Sequence, residues 1–240
     1  MIESYKLMMG VNIPISHNVE LVHPTVRQVF ELGEDAYFGQ VASFVATPTD
    51  LMVELDDVGI NFEEITEWQL FVMRFPTLQN TIMKDLLVGL DLTRAEALVG
   101  ETGEVIIFDP VTMGMLDEAH FRILCEYVRK IHGLSRNVEE FGNEFSRKMV
   151  IDIERETRKH KAYKPHEPFL MNYLSALINC ADSKYDYRNI WDVPFYVFMD
   201  AVKRVQKVME FKGLMSGMYS GMVDVKKIDM NKISWIGSLE

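Results

Sequence analysis

Apolar positions recur at spacings of three and four through most of this chain, and that period predicts helices. Val26, Val29 and Phe30 mark the buried face of the first, with Pro24 suited to its first turn and Gly33 to its end. Tyr37, Val41 and Phe44 repeat the spacing in a segment that stops before Pro48. Leu51, Leu55, Val58 and then Phe62, Ile65 and Leu70 predict one or two amphipathic helices around Gly59, and Leu78 to Leu90 a further one. The clearest stripe is Phe121, Leu124, Val128 and Ile131. Asp117 stands where a cap belongs, Arg129 and Lys130 lie in the last turn, and Gly133 takes the stop position. Phe141, Phe145, Met149 and Ile153 mark the buried face of the next helix, and Phe169 to Ala181 another. A long C-terminal segment follows, with Phe195, Phe198, Val202, Val205 and Met209 along one core-facing stripe.

Alternation is confined to short stretches. Tyr5 to Met9, Val11 to Ile15 and Val19 to Val22 read as strands separated by turns. Ala95 to Val99 and Glu104 to Phe108, joined through Gly100 and Gly103, read as a hairpin that Asp109 and Pro110 close. The expected fold is mainly α with a small β component, an α+β helical globule. Composition shifts near residues 110 to 115, dividing an acidic mixed α/β region (1–112) from a helical region (113–240).

Charge sharpens that division. Residues 1–120 carry 5 Lys and Arg against 20 Asp and Glu; residues 121–240 carry 20 against 16. An acidic front half argues against a general nucleic-acid binder, which needs clustered cations. The same asymmetry suits solubility, or the steering of a partner or a head-to-tail self-contact. No run of 18 apolar residues occurs, so no membrane span is expected, and the N-terminus lacks the pattern of a signal peptide. Cys125 and Cys180 read as reduced, buried thiols.

Candidate chemistry is sparse. The histidines are scattered, and neither zinc-ligand spacing, nor a phosphate loop, nor a nucleophile elbow occurs. Residues 50–67 hold seven acids and no Lys or Arg. Asp56, Asp57, Glu63, Glu64 and Glu67 are the right groups for a divalent-ion or acid–base site, although a solvated helix face outweighs that reading. Arg122 and Arg129 stand at helical neighbour spacing from Cys125, yet a core cysteine is the stronger reading. The basic run from Arg158 to Lys164 sits where a helix C-terminus favours cations. No catalytic, cofactor or metal residues are assigned.

The feature that remains is the end of the chain. Gly213, Gly217 and Gly221 recur every four residues, interleaved with Met215, Met218 and Met222 and followed by Trp235. The apolar window is too short for a membrane, so the glycines suit close packing, either inside the fold or against another subunit. These seven are the candidate protein-interface residues. The 16 methionines, Met8 and Met9 among them, supply adaptable apolar contact.

The segments VELVHPTVRQVFELGEDAY (19–37), LDEAHFRILCEYVRKIHGL (116–134) and NIWDVPFYVFMDAVKRV (189–205), with the Met/Gly helix running on toward Trp235, resemble the tail assembly chaperone-like morphogenesis proteins of long-tailed bacteriophages of Gram-positive hosts. The resemblance implies a non-enzymatic protein of the host cytoplasm. It would bind tape-measure or tail-tube subunits, keeping apolar helices soluble until the tube forms. Alternatives are a virion structural protein (a tail or head–tail connector subunit) and a divalent-metal-dependent enzyme using residues 50–67. Self-association through the glycine face is compatible with the first two.

Overall fold

The computed structural model describes residues 4–101, 103–139, 141–161, 168–222, 229, 234–237 and 239. In chain order its elements are α1 (Ser4–Met9), β1 (Ile13–Ser16), β2 (Val19–Leu21), α2 (Val26–Leu32), α3 (Glu34–Phe44), α4 (Met52–Asp57), α5 (Glu67–Leu78) and α6 (Met83–Leu86). Then follow β3 (Leu87–Val88), β4 (Glu96–Val99), β5 (Val105–Phe108), β6 (Met115–Leu116), α7 (Glu118–His132), α8 (Glu144–Lys161), α9 (Leu170–Asn179) and α10 (Phe195–Tyr219). The fold is α+β, with antiparallel three-stranded sheets in the orders β1-β2-β3 and β4-β5-β6. No helix among the described residues is long and apolar enough to cross a membrane.

Two compact units emerge: Met1–His23 with Leu32–Glu167, and Pro24–Glu31 with Pro168–Glu240. The compositional shift near residue 112 falls inside the first unit. Packing joins what charge divides there, because α7 lies against β1 and α5.

In the first unit α7 forms as its signals dictate. Asp117 accepts the His120 backbone N–H at 2.9 Å, and Gly133 leaves the helix in the left-handed conformation at φ 66°. Its stripe of Phe121, Leu124, Val128 and Ile131 is buried throughout. Phe121 stacks on Phe71 at 4.4 Å between ring centroids, and Trp68 stacks on Phe71 at 5.4 Å. The expected hairpin is present, with Ala97 opposite Ile107 and Leu98 opposite Ile106. Asp109 then closes it with a fully buried carboxylate that accepts two Arg94 guanidinium N–H groups at 2.8 Å and the Asp91 and Val111 backbone N–H groups. Those bonds, Arg94 first, hold its carboxyl well below the usual carboxylate range. Where this sheet approaches the other, a Cβ on Gly114 would lie 1.8 Å from the Gly89 carbonyl oxygen, so only glycine fits.

Several expected elements differ. Tyr5 to Met9 is a helix, not a strand: only Leu7 turns inward while Tyr5, Met8 and Met9 stay exposed, one buried position per turn. The second strand begins at Ile13. Leu78 to Leu90 is not one helix. The Thr66–Gln69 capping box starts α5 earlier, α5 ends at Leu78, and Leu87 and Val88 extend to pair with β2. Pro24 precedes α2 by two residues, and Phe30 is only half-buried. Val58 is exposed at the end of α4. Most consequentially, Phe145, Met149 and Ile153 face outward on α8, and the buried residue is Ile151, packed with Met52, Val53, Leu55, Phe62 and Leu70.

In the second unit the segment from Pro24 meets the start of α10. The Val26 N–H donates to Val193 O at 3.0 Å, the Phe195 N–H donates to Pro24 O at 2.7 Å, and Phe30 meets Trp191 edge-on at 5.6 Å. α9 packs on α10 and buries Leu170, Leu174 and Leu177. Along α10 only Phe195 and Phe198 are buried. Val202 and Val205 are half-buried and Met209 is exposed, so the core-facing stripe ends after one turn.

Candidate functional site: an aromatic cleft in the first unit

The starts of two helices open onto a cleft of about 880 Å³. Thr66, Glu67 and Trp68 bring the first turn of α5 to it, and Glu118, Ala119, Phe121 and Arg122 that of α7. Phe62, Ile65 and Phe141 complete an apolar wall; Phe62 and Phe141 meet edge-on at 6.0 Å. The far rim is the irregular stretch after α7, represented by Arg136, Asn137, Val138 and Glu139.

Carboxylates of the acidic stretch fasten that rim. The Arg136 Nε–H donates to Glu67 Oε1 at 2.5 Å, the Asn137 amide to Asp50 at 3.0 Å, and the Phe141 backbone N–H to Glu63 at 3.1 Å. Behind them the nearly buried Arg129 donates to Glu67 Oε2 at 2.7 Å and to Val45 O at 2.5 Å. Glu67 is thus clamped between two guanidinium groups, which compensates the desolvation of both partners. On the α7 rim Glu118 and Arg122 are exposed, and their side chains make no hydrogen bond or ion pair among the described residues.

The rest of the acidic stretch is matched by α8. Arg158 reaches Glu54 at 2.6 Å, Arg155 reaches Asp57 at 2.7 Å and Asp56 at 3.1 Å, and Arg147 reaches Glu63 at 3.3 Å. Glu64 accepts from the Asn61 amide at 2.7 Å. The carboxylates considered for a metal or acid–base site are therefore committed to guanidinium and amide donors, and Arg158, the first cation of the basic run, serves the same contact. Among the described residues no three His, Cys, Asp or Glu side chains gather in a metal-holding arrangement. Ala162, Tyr163 and Lys164 of that run lie outside the described residues.

Cys125 is fully buried, and burial pushes its thiol up, so its neighbouring arginines do not make it reactive. Cys180 caps α9 and is partly exposed rather than buried. In the first unit His132 is buried on α7. Its Nδ1 lies 2.7 Å from Val128 O, which can only accept, so Nδ1 carries the hydrogen. Nε2 then accepts from the Tyr37 hydroxyl at 2.9 Å. Burial lowers its pKa to about 4.

The interface candidates of the sequence are not gathered in the cleft; they belong to the second unit. Gly213 and Gly217 lie one turn apart on α10, with Met215 and Met218 half-buried beside them. Open space surrounds the Cβ position of Gly213, so no backbone among the described residues uses that close approach. Gly221 lies past the helix end at φ 73°, as a chain reversal rather than a third rung. Met222 is exposed, and Trp235 is 42% exposed, its carbonyl accepting from Arg204 at 2.5 Å.

The cleft went unseen in the sequence. Its two caps, Thr66 with Gln69 and Asp117, are readable as helix starts, yet nothing in the order of residues brings them to one opening. The lining is aromatic and aliphatic, with a charged rim, and the described lining residues include no His, Cys, Ser or Lys. Such a surface is equipped to hold an apolar segment of another molecule and to orient it by rim charges.

Comparison with known proteins places one part of the chain. Residues 159–240, which include all of the second unit from Pro168 onward, match the family model described as the YomV second domain, a Bacillus phage-type family. The match covers only this C-terminal part of the chain and suggests a phage-associated protein. Among curated proteins and among solved structures, none matches.

Proposed function

We propose that this is a non-enzymatic phage morphogenesis protein that binds tape-measure or tail-tube subunits as an assembly chaperone in the host cytoplasm. The observation that carries the reading is the cleft. Its wall is apolar, its partly buried Glu67 carboxylate is consumed in structural ion pairs, and the free rim charges Glu118 and Arg122 remain for a partner. The phage-type match over residues 159–240 and the resemblance of the segments 19–37, 116–134 and 189–205 support the setting.

Co-expression with a long helical tape-measure protein tests it. A complex that survives purification in mild salt is expected, and Val138→Glu together with Arg122→Glu at the exposed rim should weaken it without lowering the melting temperature. If no complex co-purifies, the chaperone reading fails. Presence of the chain in purified particles would make it a virion component instead.

A further inference from the structure

Helix α8 has two working faces. At 100° per residue, Arg147, Ile151, Arg155 and Arg158 fall on the side that meets α4 and the acidic stretch. Phe145, Met149 and Ile153 fall on the opposite side, 78%, 52% and 57% exposed. Three large apolar side chains at successive i, i+4 positions form a ridge two turns long, where a solvated face would carry polar groups. The edges of the ridge differ. Lys148 and Asp152 line one, one turn apart, and Ser146, Val150 and Thr157, all uncharged, line the other; Glu156 and Lys159, paired with each other at 2.5 Å, follow the ridge past Ile153.

We propose that this ridge is a docking surface for the same ridge of a second copy of the chain, with the two helices antiparallel. Charge selects both occupant and direction. Antiparallel helices meeting face to face bring like edges together, so Lys148 of each copy lies opposite Asp152 of the other, twice by symmetry. A parallel pair would set the charged edge against Ser146 and Thr157 and gain nothing. Lys148 and Asp152 now contact Glu144 at 2.9 Å and Arg155 at 3.0 Å, both solvent-exposed contacts that cost little to exchange. The ridge is narrow compared with the roughly 1,200–2,000 Å² of stable interfaces, so the dimer is a weak one.

Sedimentation of the full chain over a concentration series tests the proposal, with melting temperatures measured alongside. The mass should rise toward a dimer with concentration. Lys148→Asp alone and Asp152→Lys alone each place like charges opposite one another and should weaken association about tenfold. The double exchange, Lys148→Asp with Asp152→Lys, should restore it. Phe145→Ser should abolish it at an unchanged melting temperature. A chain that stays monomeric, or a double exchange that does not recover, overturns the pairing. A monomer whose melting temperature falls on Phe145→Ser would mean that the ridge is covered within the chain.

Discussion

Acid should loosen the first unit through His132 before most carboxylates titrate. The folded ring is neutral because both nitrogens are committed, Nδ1–H to Val128 O and Nε2 to the Tyr37 hydroxyl, in a site that excludes water. An imidazolium there would lack solvation, and its Nε2–H would face the hydroxyl that now donates to it. The pKa is about 4 in the fold against 6.5 in an unfolded chain. Between those values the unfolded state binds the extra proton, so stability is whole above pH 6.5 and declines as pH falls. The loss is about 2 kcal/mol at pH 5 and levels off at about 3 kcal/mol below pH 4. His23, also buried and also lowered by burial, adds in the same direction. Urea unfolding followed by circular dichroism from pH 7.5 to 4 reads this out for the wild type and for His132→Gln. The variant starts less stable at pH 7.5, because the Tyr37 contact is disturbed, but loses less on acidification. If the two curves run parallel, His132 is not a neutral buried base and the reasoning is wrong.

Glu67→Gln should cost about 3–5 kcal/mol in chemical denaturation, since it leaves the nearly buried Arg129 without its counter-charge, whereas Arg136→Gln on the exposed rim should cost about 1 kcal/mol or less. Arg155→Ala with Arg158→Ala removes the cations that α8 sets on Glu54, Asp56 and Asp57; chemical denaturation should show a loss of stability at low salt that shrinks in high salt, as expected of exposed pairs. Gly114→Ala should prevent a native melting transition, because its methyl group would collide with the Gly89 carbonyl, while Gly133→Ala should cost only about 1 kcal/mol for a left-handed residue facing open space.

What the sequence determined by itself is what short-range forces fix. Asp117 and Gly133 bracket α7, the 95–108 hairpin forms, and the Tyr37, Val41 and Phe44 stripe is buried, because caps, turns and helical period act within a few residues. Periodicity also located an amphipathic helix after Phe141, but it could not say which side would face the core. On α8 the tertiary structure decided that. The acids of residues 50–67 had no cations of their own nearby in sequence, and they take the arginines of α8 about a hundred residues away, which turns Phe145, Met149 and Ile153 outward. The same pairing explains why the charge asymmetry of the halves does not divide the fold, since opposite charges attract across the boundary that composition draws. The aromatic cleft is likewise a tertiary product: two capped helix starts and a rim tied down by Glu63, Glu67 and Asp50 converge only when the chain has folded.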